Sequence, residues 1–429
     1  MNENADTTER PPLLIDQVIG QEHAVAVVRL AAKQRRFVLL IGEPGTGKSL
    51  LGRAIAELLP PTEAFCVASL ENPDDPSCPR IVVRPRAELE AEQKKERQQE
   101  RRETFSHNYL LSLAAGGILL LCGWLLIRDR AYGLSLAGVM ALIWLWRLRK
   151  PGRTRASGRA AKILVERKAG PAPFIDATAS SEGALFGDVR HDPYQSGGSE
   201  SPPHALVEPG AVHRAHGGIL YIDEIGNLSV EAQKLLLTAI QDRSLPITGR
   251  QSGSSGTLIR SEPVPCDFVL VAAGNVEDLP RIIPALRSRI LGYGFEVLTA
   301  CTMPDTPQHR RDLDRFVAQE VNKDGRIPHF TPSALALIYE EARRRSGQAG
   351  RLTTRLRELG GLVRIAGDLA IQAGLAQVDA DQVQLALRYA ASIEEQQLAL
   401  PAGHDVSGLI PEFSARLVHS SSEFPCPRR

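Results

Sequence analysis

The feature that most constrains the fold of this chain is a glycine-rich loop between a strand-like segment and a helix-like segment. Residues Phe37 to Ile41 (FVLLI) form a short apolar run, the loop GEPGTGKS follows directly, and apolar residues then recur at helical spacing. Strand, G-x-x-x-x-G-K-S loop and helix, in this order, form a phosphate-binding loop, because backbone N–H groups and the helix N-terminus point at the phosphates. The residues of this segment that we expect to bind a nucleotide are Gly42, Glu43, Pro44, Gly45, Thr46, Gly47, Lys48, Ser49 and Leu50.

An acidic pair after a second apolar run is suited to metal binding and water activation. Residues Ile219 to Ile222 (ILYI) directly precede Asp223 and Glu224. We expect Lys48 to reach the β- and γ-phosphates, and Ser49 and Asp223 to hold Mg²⁺. Glu224 would orient and deprotonate the attacking water, a role that favours hydrolysis over phosphoryl transfer to another substrate.

A third strand-like run, Asp267 to Ala272 (DFVLVA), leads to further candidates. It is followed by Asn275, whose amide could contact the γ-phosphate or the attacking water, and then by Arg287 and Arg289. Either arginine could enter a neighbouring subunit's site as an arginine finger that stabilises charge in the transition state. The alternatives are an ordinary loop asparagine and ordinary surface ion pairs.

Two uncharged segments indicate a membrane hairpin. Residues Asn108 to Ile127 carry no charge over twenty residues, and Ala131 to Trp146 carry none over sixteen. The first spans about 30 Å as a helix, which is the thickness of a bilayer core. All three tryptophans (Trp124, Trp144 and Trp146) lie in these segments, and basic residues flank both outer ends. The positive-inside rule then predicts a two-helix, multi-pass protein of the cell membrane with cytoplasmic soluble parts; a buried helical hairpin is the alternative.

Composition excludes several other classes of protein. Lys and Arg number 51 against 50 Asp and Glu, so the net charge of +1 argues against specific nucleic-acid binding. The six cysteines include no C-x-x-C pair, which argues against a zinc site or a disulfide framework and predicts free thiols. His213 and His216 lie three residues apart without an acidic partner, a pattern more typical of structural histidines, so Mg²⁺ is the only metal that we expect.

The ordered set of motifs resembles that of an AAA+ ATPase, and longer stretches resemble the archaeal-type, membrane-anchored Lon protease. The resemblance extends from about Leu14 to Gln396, and its stretches include LIDQVIGQ at 14–21, GDVRHDP at 187–193, EPGAVHRAHGG at 208–218, EPVPCDFVL at 262–270 and GYGFEV at 292–297. In that family a transmembrane hairpin interrupts the ATPase domain between the phosphate loop and the acidic strand, as it would here. The resemblance implies an α/β fold with a doubly wound parallel sheet, a helical lid and an inserted transmembrane hairpin.

The resemblance also assigns roles to individual residues. It places Val18, Ile19 and Gly20 in the adenine pocket. It makes Asn275 the first sensor. It makes Arg289, rather than Arg287, the arginine finger. The second sensor would be Arg355 rather than Arg351, at the start of a lid helix. The pore loop that grips a protein substrate would be Leu185, Phe186 and Gly187, with core packing of Phe186 as an equal alternative. A second mobile loop would lie at 249–257, and lid helices over 307–324, 331–345, 353–373 and 380–398.

The implied function is a homo-oligomeric ring that uses ATP and Mg²⁺ to unfold or translocate unfolded or damaged proteins. The family continues into a protease domain with a Ser-Lys dyad, whereas no lysine follows Lys323 in this sequence. We therefore expect no peptidase in this chain. The ATPase would then act together with a separate peptidase or with full-length Lon subunits. Two alternatives stay open: a nucleotide-binding regulatory or defunct Lon remnant, and a MoxR-like or chelatase-like remodelling ATPase.

These interpretations divide the chain into seven parts. They are an N-terminal tail at 1–13, the first part of the ATPase domain at 14–83, a charged helix or linker at 84–107, the hairpin at 108–148 with its membrane contact at 108–146, the second part of the ATPase domain at 149–300, the lid at 301–397 and a tail at 398–429.

Overall fold

A computed structural model of the chain describes residues 13–89, 161–190, 202–250 and 258–390, together with eight helical residues between 91 and 124. The chain divides into two compact units, residues 1–300 and 301–429. Most of the predicted membrane hairpin, the loop at 251–257 and the tail at 398–429 lie outside the described residues. Within the described ones, no helix has both the length and the apolar character needed to cross a membrane.

The first unit contains both strands and helices. Its strands are β1 (Phe37–Ile41), β2 (Phe65–Leu70), β3 (Arg80–Arg84), β4 (Lys162–Arg167), β5 (Phe174–Asp176), β6 (Asp188–Val189), β7 (Val207–Glu208), β8 (Ile219–Ile222), β9 (Ser244–Arg250), β10 (Leu258–Pro265), β11 (Val269–Gly274) and β12 (Gly294–Leu298). Its helices are α1 (Glu22–Gln34), α2 (Lys48–Leu58), α3 (Glu182–Phe186), α4 (Pro203–Leu206), α5 (Ala211–Arg214), α6 (Val230–Asp242) and α7 (Pro284–Tyr293), with 3₁₀ turns at Leu14–Gln17, Ile225–Asn227 and Val276–Arg281.

A parallel sheet forms the centre of this unit. Within the described residues it has five strands in the order β12-β1-β11-β8-β5. Every neighbouring pair is parallel, with Val38 opposite Val271 in β1 and β11, and Leu270 opposite Leu220 in β11 and β8. The predicted doubly wound parallel sheet is therefore confirmed.

Strands β1 and β11 are apolar along their whole length because both faces of the sheet are covered. Leu39 and Ile41 of β1 belong to one hydrophobic cluster, with residues of α6 and α7. Val38 and Leu40 belong to a second cluster on the other face, with residues of α1 and α2. Alternate residues of each strand thus point to opposite cores, and every strand end is held from both sides.

Smaller antiparallel sheets accompany the central one in the described part of the first unit. Strands β3, β2 and β4 form one sheet, with Cys66 opposite both Arg84 and Glu166. Strands β9 and β10 form a hairpin, and β6 pairs with β7. Strands β2 and β4 lie almost a hundred residues apart in the chain, so their pairing is non-local.

The second unit is mainly helical. Its elements are β13 (Thr302–Pro304), α8 (Pro307–Asp324), β14 (His329–Phe330), α9 (Pro332–Ser346), β15 (Arg351–Thr353), α10 (Leu356–Gln372), β16 (Gln377–Val378) and α11 (Ala380–Tyr389). Two of its helices are capped at their N-termini: the Thr331 hydroxyl accepts from the Ala334 N–H, and Asp379 forms a capping box with Gln382. One core, which includes Val317, Ile338 and Val363, joins the helices.

Candidate active site

The carboxyl ends of the parallel strands meet at one edge of the central sheet and bring the motif residues together. The phosphate-binding loop follows β1, the acidic pair follows β8, and Asn275 follows β11. This edge is where ligands bind in open α/β sheets.

The phosphate-binding loop adopts a conformation that its glycines permit. Gly45 and Gly47 have φ angles of 86° and 89°, in the left-handed region that favours glycine. Helix α2 begins at Lys48, immediately after Gly47. The loop therefore ends on a helix N-terminus, which carries partial positive charge.

Two side chains brace this loop against the chain that leaves the sheet after β12. The hydroxyl oxygens of Thr46 and Thr299 lie 2.9 Å apart. The Gln21 amide, which is 3% exposed, donates to the carbonyl of Ala300 at 2.7 Å and accepts from the Ala300 N–H at 2.9 Å. Gln21 also donates to the Thr46 carbonyl at 3.3 Å. The proposed adenine-pocket residues Val18, Ile19 and Gly20 immediately precede Gln21, which links them to the loop.

Lys48 is buried and directed into the loop. Its Nζ donates to the carbonyl oxygens of Gly42 and Glu43, and to Asn275 Oδ1 at 3.1 Å. A buried ammonium group needs such oxygen partners, because desolvation of an uncompensated charge is costly. The contact also brings Asn275, the proposed first sensor, to the centre of the site.

Ser49 and Asp223 lie next to each other at the other side of the loop. Ser49 Oγ is 3.5 Å from Asp223 Oδ2, and the Tyr221 hydroxyl lies 3.2 Å from each of these atoms. Burial is the main cause that raises the pKa of Tyr221 far above its usual value, so the phenol stays protonated and can donate.

The Ser49 and Asp223 oxygens fit Mg²⁺. Mg²⁺ prefers oxygen ligands at about 2.1 Å, and two oxygens at the observed separation can ligate one ion. In the described part of the chain, no group of three or more His, Cys, Asp or Glu residues could hold a metal ion. This result is compatible with Mg²⁺ bound by one or two protein groups together with phosphates and water.

Glu224 has a strained backbone and a fixed side chain. Its φ of 52° lies in the left-handed region, which is uncommon for a residue other than glycine and is enriched at functional sites. Asn227 Nδ2 donates to Glu224 Oε2 at 2.9 Å, and Arg281 donates to Asn227 Oδ1 at 3.3 Å. Glu224 is exposed at the sheet edge, where a water can approach it.

Asn275 is held by the turn that follows it. Its backbone N–H donates to Asp278 Oδ2 at 2.9 Å, and Asp278 is 8% exposed. Asp278 lies 3.5 Å from Arg281, the residue that contacts Asn227. A chain of polar contacts thus joins the Asn275 segment to the segment of Glu224.

The two candidate finger arginines differ in their surroundings. Arg287 forms a two-point ion pair with Glu296 of β12, with N···O distances of 2.7 and 2.9 Å. The Arg289 guanidinium lies 4.6 Å from the centre of the Tyr293 ring. Arg289 also lines a cavity of about 440 Å³ with Arg35, Arg36 and Arg243.

The candidate second-sensor residues belong to the second unit. Arg355 directly precedes α10, the position that the resemblance requires, and donates to the Arg345 carbonyl at 3.0 Å. Arg351 lies in β15 and donates twice to Thr302, at 2.8 and 2.9 Å.

The proposed pore-loop residues lie in and after α3. Leu185 and Phe186 are 0% and 6% exposed and belong to the core cluster of the central sheet. Gly187 has a φ of 91°, and a Cβ at this position would lie 2.7 Å from the Glu208 carbonyl. This placement matches the packing interpretation of Phe186; a gripping role for the loop stays a prediction.

The two histidines have structural contacts. His213 is fully buried; its Nδ1 accepts from the Gly210 N–H and its Nε2 lies 2.9 Å from the Leu245 carbonyl. Burial lowers the pKa of His213 to about 4. His216 Nδ1 accepts from the Asp267 N–H at 3.0 Å.

Sequence reasoning did not identify Gln21, Tyr221, Asn227, Asp278 and Thr299. Tyr221 is the polar exception in the apolar run ILYI, and this irregularity was the available signal. For the other four residues the sequence offers only a weak signal of a functional role, because the fold alone determines which residues they contact.

Three family models match separate parts of the chain. They are described as magnesium chelatase, subunit ChlI, over residues 14–72; Sigma-54 interaction domain, over residues 202–277; and archaeal LonB, AAA+ ATPase LID domain, over residues 329–391. Together they cover the phosphate-binding loop, the acidic pair and part of the helical unit.

Full-length relatives decide between these matches. The archaeal Lon protease of Thermococcus kodakarensis is 48% identical over 396 residues, which cover 91% of this chain and 61% of that protein. A lon protease homolog of Methanothermobacter thermautotrophicus is 36% identical over 444 residues, which cover 89% of this chain and 88% of that protein. The chain belongs to the Lon protease family.

The archaeal Lon protease of Archaeoglobus fulgidus is 49% identical to this chain over 387 residues. This chain spans about three fifths of the length of the archaeal Lon proteases, 61% and 62% for the two named here. The matched region carries the AAA+ fold with its parallel sheet and helical lid.

Proposed function

We propose that this Lon-family chain binds ATP with Mg²⁺, hydrolyses it, and uses the energy in a homo-oligomeric ring to unfold or translocate protein substrates. The observation that carries the proposal is the convergence of Lys48, Ser49, Asp223, Glu224 and Asn275 at one edge of the sheet. Each supplies the type of group that phosphoryl transfer to water requires.

The described contacts suggest how these residues act. Lys48 bonds to loop carbonyls and to Asn275, and phosphate oxygens are the stronger partners for its charge. Asn275, held by Asp278, then lies next to the same phosphate. Mg²⁺, held by Ser49 and Asp223, would neutralise phosphate charge. Glu224, fixed by Asn227, would take the proton of the attacking water.

Arg289 is the residue that we propose to complete a neighbouring subunit's site. Its cavity includes Phe37 and Val269, which are the first residues of β1 and β11, at the edge of the sheet opposite the phosphate-binding loop. The five residues of β1 span about 17 Å, so Arg289 lies too far from its own loop to act there. Arg287, by contrast, is already paired with Glu296.

We also propose that the segment at 108–146 anchors the chain in a membrane, with the ATPase units in the cytoplasm. Its support is the pair of uncharged runs and their basic flanks. Flotation of the expressed chain with lipid vesicles, compared with a variant lacking 108–146, tests this part separately.

The central experiment measures ATP hydrolysis by the detergent-solubilised chain with and without casein, an unfolded model protein. We expect Mg²⁺-dependent turnover that casein stimulates, and a loss of at least about 100-fold in the Glu224→Gln variant with nucleotide binding retained. Turnover that casein does not alter would contradict the protein-unfolding part. Nucleotide binding without turnover in the unsubstituted chain would contradict the motor and favour a regulatory protein.

A further inference from the structure

Tyr221 places a polar group in an otherwise apolar strand. Strand β8 reads ILYI, and all four residues are buried, with Tyr221 2% exposed. A buried hydroxyl costs about 1–3 kcal/mol when it lacks a hydrogen-bond partner, so a tyrosine at this position needs one. Its partners are Ser49 and Asp223.

The ring of Tyr221 packs against β5 and α2. Phe174 of β5 stacks against it with ring centres 5.5 Å apart. Gly52 of α2 also lies against the ring, and a Cβ at this position would be 2.7 Å from two ring carbons. The ring therefore fits beside α2 because position 52 has no side chain, and its hydroxyl has little freedom to move.

The strand geometry explains why the hydroxyl reaches these two partners. Tyr221 and Asp223 are two residues apart, so their side chains lie on the same face of the sheet. That face is covered by α2, whose first turn carries Ser49. The hydroxyl consequently forms a triangle with Ser49 Oγ and Asp223 Oδ2, with sides of 3.2, 3.2 and 3.5 Å.

Two arrangements of hydrogen bonds satisfy all three groups of this triangle. An ionised carboxylate only accepts, whereas each hydroxyl has one proton to donate. Tyr221 donates either to Asp223, while Ser49 donates to Tyr221, or to Ser49, while Ser49 donates to Asp223. In both arrangements the Ser49 oxygen keeps a lone pair for a cation, and a hydroxyl proton restricts the rotation of the Asp223 carboxylate.

We propose that Tyr221 is a positioning residue that holds Ser49 and Asp223 in the relative arrangement that Mg²⁺ requires. The inference rests on the proposed nucleotide site and adds to it a residue that acts through its contacts to Ser49 and Asp223. Its signature is selective: loss of the hydroxyl weakens the contribution of Mg²⁺ to nucleotide binding and leaves metal-free binding intact.

The test is a binding titration with a fluorescent ADP analogue on the full chain in detergent. Mg²⁺ should increase the affinity for the nucleotide, and the titration gives the Mg²⁺ concentration at which half of this increase is reached. For Tyr221→Phe we expect that concentration to rise about five- to tenfold, which is the effect of one lost hydrogen bond. In EDTA the affinity should stay within about twofold of that of the unsubstituted chain, since no contact to the nucleotide is removed.

Two further variants make the result specific. Tyr339→Phe removes the hydroxyl that contacts Asp314 in the second unit and should leave both titrations unchanged. Gly52→Ala keeps the Tyr221 hydroxyl but displaces its ring, and it should shift the Mg²⁺ dependence in the same direction as Tyr221→Phe.

Three outcomes would overturn the inference. A Mg²⁺ dependence of Tyr221→Phe equal to that of the unsubstituted chain would show that the hydroxyl has no such role. Equal loss of affinity with Mg²⁺ and with EDTA would show a packing role only. Absence of Mg²⁺-dependent binding in the unsubstituted chain would overturn the proposed nucleotide site and this inference together.

Discussion

At the scale of single residues, the candidates that sequence reasoning identified are those whose spacing is local. Lys48 and Ser49 belong to one contiguous motif, and Asp223 and Glu224 follow one strand. The residues that support them come from distant segments: Gln21 contacts Ala300, and Asn227 contacts Arg281. Side-chain pairs of this kind depend on the packing of strands and helices, so no local pattern in the sequence predicts them.

Arg287 and Arg289 form a matched pair of variants. We expect Arg289→Ala to lower ATP turnover by at least about 100-fold if the residue stabilises charge in the transition state. Arg287→Ala should retain turnover within about threefold, because it removes a partly exposed ion pair that contributes about 1 kcal/mol or less to stability. Steady-state ATPase assays on both variants, with unfolding midpoints as the control, distinguish them. The reverse ranking would contradict the assignment.

His213 predicts a specific loss of stability in mild acid. Its pKa is lowered to about 4 by burial, whereas an unfolded chain protonates histidine near its ordinary value of 6.5. Above pH 6.5 both states are neutral and the residue contributes no pH dependence. Between pH 6.5 and 4 the unfolded state binds the proton alone, so the free energy of unfolding falls by about 1.4 kcal/mol per pH unit.

The check for His213 compares denaturant unfolding of the chain and of His213→Gln from pH 7.5 to 4.5. Glutamine does not titrate but can still accept from Gly210 and donate to Leu245. Below pH 6.5 the free energy of unfolding of the unsubstituted chain should therefore fall steadily relative to that of His213→Gln. A difference that stays constant over this range would contradict the assigned protonation state.

At the scale of strands and helices, the sequence predicted the elements whose signals are local. The run Phe37 to Ile41 and helix α8 match their predicted bounds. The third strand was predicted at 267–272 but runs over Val269–Gly274, because the backbone of Asp267 hydrogen-bonds His216 and Gly217 outside the strand and Gly274 still pairs with Ile41. Helix α10 was predicted from residue 353 but begins at Leu356, because Arg351–Thr353 pairs with Thr302–Pro304. The antiparallel strands β2, β3 and β4 were not predicted, since their pairing is non-local.

Substitution of alanine for glycine should have opposite effects on stability at two positions of α10. A Cβ at Gly361 meets no atom within 4 Å, so Gly361→Ala should raise stability by about 0.5–1 kcal/mol through helix propensity. A Cβ at Gly367 would lie 2.3 Å from Ile327, a buried β-branched side chain, so Gly367→Ala should destabilise by about 1–3 kcal/mol. Thermal unfolding of both variants tests the packing of this helix, and equal shifts in the two would contradict it.

At the scale of the whole molecule, the parallel sheet and the helical unit were predictable from motif order and helical periodicity, because each is built from repeated local patterns. The contacts between subunits could not be predicted in this way, since no local pattern within one chain specifies which residue reaches a neighbour. The placement of Arg289 gives a structural argument for one such residue. It lies at the strand edge opposite its own phosphate-binding loop, so a catalytic role for Arg289 requires the site of another copy.

Mixing two inactive variants tests this dependence between subunits. Glu224→Gln lacks the water-activating group but keeps Arg289, and Arg289→Ala lacks the finger but keeps Glu224; each alone should be almost inactive. In a randomly mixed 1:1 assembly, a site with Glu224 next to a subunit with Arg289 arises at about one interface in four, so turnover should recover to about a quarter of the unsubstituted level. If Arg289 served its own subunit, every site in the mixture would lack one group and turnover would stay at the level of the separate variants. A Glu224→Gln, Arg289→Ala double variant mixed with Arg289→Ala is the matched control, because that assembly contains no finger and should not recover in either case.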